Sequence, residues 1–139
     1  HPMYGKTFST LGKTLDPISQ DSCAFYERTA MFADYDGVAN GPDEGINIAK
    51  ALADKDFVIL QNHGILTTGT MIDTTVWYFL NMEDACKSQL LAEAVGKPIV
   101  IPHDTACATR DYVANDLSAY VSFQPTVDVL WEEEPDLLD

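Results

Sequence analysis

Residues 56–71 read Asp-Phe-Val-Ile-Leu-Gln-Asn-His-Gly-Ile-Leu-Thr-Thr-Gly-Thr-Met, and this stretch decides the fold. The continuous apolar run at 57–60 is typical of a strand that is buried on both faces. Polar residues and Gly64 follow it, and a second β-prone run begins at Ile65. The pattern predicts two strands with His63 at their junction. A histidine placed there serves either as a metal ligand or general base, or as a hydrogen-bonded loop residue.

Helical periodicity surrounds this pair of strands. Pro42-Asp43-Glu44-Gly45 predicts the start of a helix, because acidic side chains favour the positive end of the helix dipole. A longer helix is predicted over 72–94, ending before Gly96 and Pro98 and packing across the sheet. Its predicted buried face comprises Val76, Phe79, Met82, Cys86 and Leu90.

The remaining segments give weaker signals. We expect residues 1–9 to end a strand, Met31 and Phe32 to form a brief strand, and an acidic loop to follow at 34–37. A last helix is predicted from Asp104 to Tyr120, with irregular structure from Gln124 onwards. We therefore divide the chain into a domain at 1–125 and an acidic tail at 126–139.

The bulk composition limits the possible partners. The chain has 139 residues, of which 46% are hydrophobic, enough for the core of one domain. Its net charge of −14 argues against nucleic acid and anionic membrane surfaces, since both require clustered positive charge. No apolar run approaches the roughly 18 residues of a membrane span. The three cysteines form no Cys-x-x-Cys pair, which favours reduced, mostly buried thiols in a cytoplasmic protein.

Four motifs resemble, in order and spacing, those of the class II aldolase and adducin head family. Leu60-Gln61-Asn62-His63-Gly64 is similar to the segment that carries the family's last metal-binding histidine. His1-Pro2-Met3-Tyr4-Gly5-Lys6 resembles the family's His-x-His-Ser-x-Tyr-Gly segment, entered at its second histidine. The stretches at 17–23 and 43–49 resemble two further family segments.

The resemblance implies a three-layer αβα domain with a central mixed, largely antiparallel sheet. It also implies His1 and His63 as ligands of a divalent metal, most simply zinc, with Asn62 and, more weakly, Tyr4 as catalytic residues. A metal-dependent lyase that breaks or forms a carbon–carbon bond in a small hydroxy-carbonyl substrate, through a metal-stabilised enediolate, would follow. In this family a further histidine and a glutamate precede the position of His1, so we expect the N-terminal part of the domain to be missing here.

Several alternatives stay open. Relatives with the same metal cage include epimerases, dehydratases and decarboxylases, and the adducin head keeps the fold as a scaffold without metal chemistry. Many family members are homo-oligomers, often tetramers. A further interpretation takes His1 as a mature N-terminal copper ligand, as in secreted oxygenases, but the odd cysteine count and the aldolase-like motifs oppose it. His103 is expected to be a surface residue, because nothing in the resemblance makes it a ligand.

Overall fold

A computed structural model describes residues 1–34, 37 and 42–136. The helices are α1 (Met3–Ser9), α2 (Pro42–Leu52), α3 (Ile72–Val95), α4 (His103–Val113) and α5 (Asp116–Glu133), and a short 3₁₀ helix covers Ser22–Phe25. The strands are β1 (Thr29–Phe32), β2 (Phe57–Leu60) and β3 (Gly64–Thr67). Residues 35 and 36 of the predicted acidic loop, and 137–139 of the predicted tail, lie outside the described part of the chain.

The apolar run at 57–60 is the middle strand of the described sheet, as predicted. Strand β2 pairs in parallel with β1 and antiparallel with β3, so the sheet is mixed. All four residues of β2 are buried. A strand with neighbours on both sides and helices on both faces has no solvent-facing side chains, which explains the continuous apolar run.

The side chains of β2 divide between two apolar clusters, one on each face of the sheet. Phe57 and Ile59 join Tyr78 and Met82 of α3. Val58 and Leu60 join a second cluster against which residues of α2, such as Ile48, pack. Helices therefore cover both faces, and the predicted three-layer α/β arrangement with a mixed sheet is confirmed.

The long helix lies where the sequence predicts it, but its buried face is rotated from the predicted one. Met82 and Cys86 are buried, and Phe79 and Leu90 pack partly buried against the core. Val76, however, is 37% exposed, and that part of the prediction is wrong. The residues buried along α3 are Thr74, Tyr78, Met82, Ala85, Cys86 and Gln89.

Hydrogen bonding explains why polar residues take part in this buried face. Gln89 is fully buried, and its side-chain oxygen accepts a 2.9 Å hydrogen bond from the backbone N–H of Asp16. Its amide nitrogen donates to the carboxylates of Asp16 and Glu93, at 2.6 and 2.8 Å. A buried amide is tolerated when all its polar atoms are paired, and an apolarity pattern does not reveal that pairing.

The N-terminal segment is helical, so the prediction that residues 1–9 end a strand is wrong. Tyr4 and Phe8 are four residues apart and lie on one face of α1, with Phe8 fully buried. A Cβ added to Gly5 would come within 3.0 Å of the Ile65 side chain. The glycine thus permits close packing of the helix on β3 rather than a bend in a strand.

The predicted last helix is two helices, and the predicted irregular region from Gln124 is helical through Glu133. The break lies at Ala114 and Asn115. The Asn115 side chain accepts a 2.9 Å hydrogen bond from the backbone N–H of Ser118 and caps α5. Pro125 lies inside α5, which continues past it.

Candidate functional site

His63 lies in the tight turn between β2 and β3. Its backbone N–H donates a 3.0 Å hydrogen bond to the carbonyl of Leu60. Asn62 has a φ of 58° and Gly64 a φ of 156°, both in the region that favours asparagine or glycine. The turn is therefore built by its own residues, and it presents a partly buried histidine at the end of the central strand.

The structure brings His1 and His63 together although 62 positions separate them. Their imidazole rings are stacked, with centroids 4.5 Å apart and an angle of 15° between the ring planes. His1 is exposed and His63 is half-buried. Neutral imidazole is a good ligand for zinc and related ions, and a catalytic zinc site normally has three protein ligands. The stacking places two imidazoles side by side, and each is a chemically suitable ligand for such an ion.

Helix α1 fixes the position of His1, and α3 in turn holds α1. The carboxylate of Glu83 accepts hydrogen bonds from the backbone N–H groups of Tyr4 and Gly5, at 2.8 and 2.5 Å. The backbone N–H of Asn62 also donates a 3.4 Å hydrogen bond to the carbonyl of Ser9, which ties the His63 turn to the other end of α1. The two histidines thus belong to one connected framework.

The two residues predicted to be catalytic have different environments. Asn62 is exposed beside His63, where its amide is accessible to a bound molecule. Tyr4 is partly buried and packs against the core, and the Lys87 ammonium lies 5.2 Å from its ring centroid. Packing and this cation–π contact give Tyr4 a structural role of its own.

The buried thiols are poorly suited to nucleophilic chemistry. Burial raises the pKa of Cys86 to about 12, with a smaller contribution from the Glu83 carboxylate. Burial also raises the pKa of Cys23, reinforced by Asp21. Thiols held in the protonated form are weak nucleophiles. All three cysteines are free, as predicted, although Cys107 is only partly buried.

A second group of chemically active side chains was missed by the sequence analysis. Glu27, His103 and Cys107 place one potential metal-ligating atom each within 4.8 Å of one another. His103 is a surface residue, as expected, with 60% of its side chain exposed. The four-residue spacing of His103 and Cys107 on a helix was a usable signal, but only the tertiary structure brings Glu27 to them.

The family profile described as "Class II Aldolase and Adducin N-terminal domain" matches residues 1–90. This chain belongs to that family. The match includes α1, the three strands and most of α3, and therefore both His1 and His63. The family membership and the fold expected from the four sequence motifs are thus confirmed.

Individual relatives match nearly the whole chain. The chain is 36% identical over 137 residues to "Decarboxylase NovR" of Streptomyces niveus, covering 99% of this chain and 51% of that protein. It is also 36% identical over 137 residues to "4-hydroxy-3-prenylphenylpyruvate oxygenase/4-hydroxy-3-prenylbenzoate synthase" of Streptomyces roseochromogenus subsp. oscitans, covering 99% of this chain and 50% of that protein.

A solved structure gives the same picture. "L-fuculose 1-phosphate aldolase from Glaciozyma antarctica PI12" superposes with a TM-score of 0.86 at 39% identity, covering 96% of this chain and 50% of that one. The chain thus spans about half the length of these relatives. Among the described residues, no helix is both long and apolar enough to cross a membrane.

Proposed function

We propose that this class II aldolase-family protein is a metal-dependent lyase that acts on a small hydroxy-carbonyl compound by reversible carbon–carbon cleavage. The observation that carries the proposal is the stacking of His1 on His63, with ring centroids 4.5 Å apart, at the end of the central strand. A scaffold domain has no need to hold two imidazoles together in this way. The similarity to a solved protein named as an L-fuculose 1-phosphate aldolase supports the same reaction class.

His1 and His63 would hold the ion, which we propose to be zinc. When bound, a divalent ion supplies Lewis-acid stabilisation of negative charge on a substrate oxygen. Glu83 serves the site indirectly by anchoring α1, because its carboxylate accepts hydrogen bonds from the backbone N–H groups of Tyr4 and Gly5 in the first turn after His1.

Asn62 is proposed to bind the substrate. Its exposed amide follows directly from the strand end and can donate a hydrogen bond to a carbonyl or enediolate oxygen beside His63. Tyr4 is the weaker candidate, proposed as a proton donor to the aldehyde fragment. Tyr4→Phe separates the two roles, since it removes the hydroxyl and keeps the ring that packs against the core.

Decarboxylation is the second candidate reaction. One relative that matches 99% of this chain is named a decarboxylase. Loss of carbon dioxide from a β-carbonyl acid and retro-aldol cleavage both leave negative charge on a carbonyl oxygen, so the same residues would serve either reaction. A substrate screen should therefore contain hydroxy-carbonyl sugars, with and without phosphate, and keto acids.

We also propose that the protein is a cytoplasmic homo-oligomer, with a tetramer as the first state to test. The free cysteines and several exposed apolar side chains on α5, including Leu117, Val129 and Trp131, support this.

Replacing His63 by alanine tests the proposed function. We expect the variant to lose turnover and one equivalent of bound metal while keeping its far-ultraviolet circular dichroism. His103→Ala is the matched control and should keep turnover. Turnover that survives in His63→Ala would exclude the mechanism. An intact wild-type protein that binds no metal at the histidine pair and turns over no compound in the screen would support the adducin-like scaffold instead.

A further inference from the structure

Glu27, His103 and Cys107 form a compact cluster on elements that contribute nothing to the histidine pair. His103 is the first residue of α4, and Cys107 lies one turn further along the same face. Glu27 belongs to the turn between the 3₁₀ helix and β1. Its φ of 59° is uncommon for a residue other than glycine, and the turn brings its carboxylate to α4.

The separations within the cluster are close to those that a shared ion requires. The Cys107 Sγ lies 3.8 Å from the Glu27 Oε2 and 3.8 Å from the His103 Nε2. The His103 Nδ1 lies 3.7 Å from the Glu27 Oε1. Bond lengths of about 2.0–2.3 Å in a tetrahedral zinc site place ligand atoms about 3.3–3.6 Å apart. One ligand atom from each of the three residues lies within 4.8 Å of the other two, so side-chain rotations that bring these atoms up to about 1.5 Å closer would complete the triangle.

Tyr26 lies where a supporting partner of a metal-bound histidine is usually found. Its hydroxyl is 3.1 Å from the His103 Nδ1. When that oxygen accepts a hydrogen bond from the Nδ1–H group, the lone pair of Nε2 points away from Tyr26 and is available to an ion.

One cation already contacts the cluster. The Arg110 Nη1 lies 3.4 Å from the Glu27 Oε2. The same guanidinium donates a 2.9 Å hydrogen bond to Asp111, so it keeps an anionic partner if Glu27 binds an ion instead.

We propose that Glu27, His103 and Cys107 bind a zinc-type divalent ion, with a fourth coordination position open to water. The set of thiolate, imidazole and carboxylate suits zinc and disfavours magnesium and calcium, which prefer oxygen ligands alone. Binding converts the Cys107 thiol to a metal thiolate and releases its proton to solvent, with no change in oxidation state. The ion would fasten α4 to the turn that precedes β1. This inference does not rest on the proposed lyase activity.

Cobalt titration of the whole, reduced protein tests the site directly, because a cysteine thiolate bound to Co²⁺ gives a near-ultraviolet charge-transfer band. We expect wild type to show the band and Cys107→Ser to lack it. His103→Ala and Glu27→Gln should weaken Co²⁺ binding at this site by at least about 100-fold, and Tyr26→Phe by about tenfold, since supporting partners alone are worth 10- to 100-fold.

Two control variants make the result specific. His63→Ala should keep the thiolate band, which separates this cluster from the histidine pair. Asp104→Asn, a change of an exposed carboxylate in the first turn of α4, should leave binding unchanged. The proposal is overturned if the wild-type protein shows no band, or if the band survives in Cys107→Ser. Circular dichroism checks that each variant retains the fold. If Cys107→Ser does not fold, His103→Ala takes its place in the test.

Discussion

The carboxylate of Glu83, near the middle of α3, accepts a 2.8 Å hydrogen bond from the backbone N–H of Tyr4. Glu83 belongs to α3 but caps the N-terminus of α1. The first N–H groups of α1 have no hydrogen-bond acceptor within that helix, and the Glu83 carboxylate supplies one. Asp84 is exposed, but Glu83 holds the helix that positions His1.

Glu83→Gln should lower the free energy of unfolding by about 1–2 kcal/mol, because an amide replaces one of two acceptor oxygens at a helix N-terminus. It should also weaken metal binding at His1 and His63, although neither ligand is changed. Urea unfolding and metal titration measure the two effects. Asp84→Asn is the matched control and should change stability by less than about 0.5 kcal/mol. Equal behaviour of the two variants would refute the capping role.

Gly64→Ala should destabilise the protein by about 1–3 kcal/mol, because alanine is strained at a φ of 156°. The space itself is adequate, since an added Cβ would lie 3.8 Å from the His1 Cα, so the cost is conformational. Gly45→Ala is the opposite case. That glycine lies in α2 with nothing within 4 Å of an added Cβ, and the change should stabilise by about 0.5–1 kcal/mol. Thermal unfolding of both variants tests the contrast, and a neutral Gly64→Ala would contradict it.

Lys13→Met should reduce stability near neutral pH but not in acid. The hydrogen bond from Lys13, assisted by Gln89, lowers the pKa of Glu93 from its ordinary value of 4.5. A carboxyl group with a lowered folded pKa stabilises the protein above its unfolded pKa, and this contribution disappears as pH falls through the folded pKa. The expected loss is about 0.2–1 kcal/mol at pH 7, since both side chains are partly exposed.

Urea unfolding at pH 7, 5 and 3 checks this dependence. The difference between Lys13→Met and wild type should persist at pH 5 and shrink at pH 3. Lys97→Met, a change at an exposed lysine, is the control for the loss of one positive charge. A difference that grows towards low pH would show that the Lys13–Glu93 pair is not its source.

Local patterns in the sequence determined the central strand, the extent of α3 and the turn that presents His63. Each depends on neighbours along the chain: a short apolar run, helical spacing closed by Gly96, and an Asn-His-Gly turn. The four motifs also identified the family, because they occur in the same order and spacing as in its other members.

The tertiary structure alone decided three further features. Residues 3–9 form a helix because the carboxylate of Glu83, 74 or more positions away, accepts hydrogen bonds at the N-terminus of that helix, while Gly5 packs against Ile65. The buried face of α3 includes Gln89 because Asp16 and Glu93 satisfy its amide. Glu27 meets His103 and Cys107 because the chain folds α4 against the turn before β1. Long-range hydrogen bonds and contacts leave no periodic trace in a sequence, so these features appear only once the chain is folded.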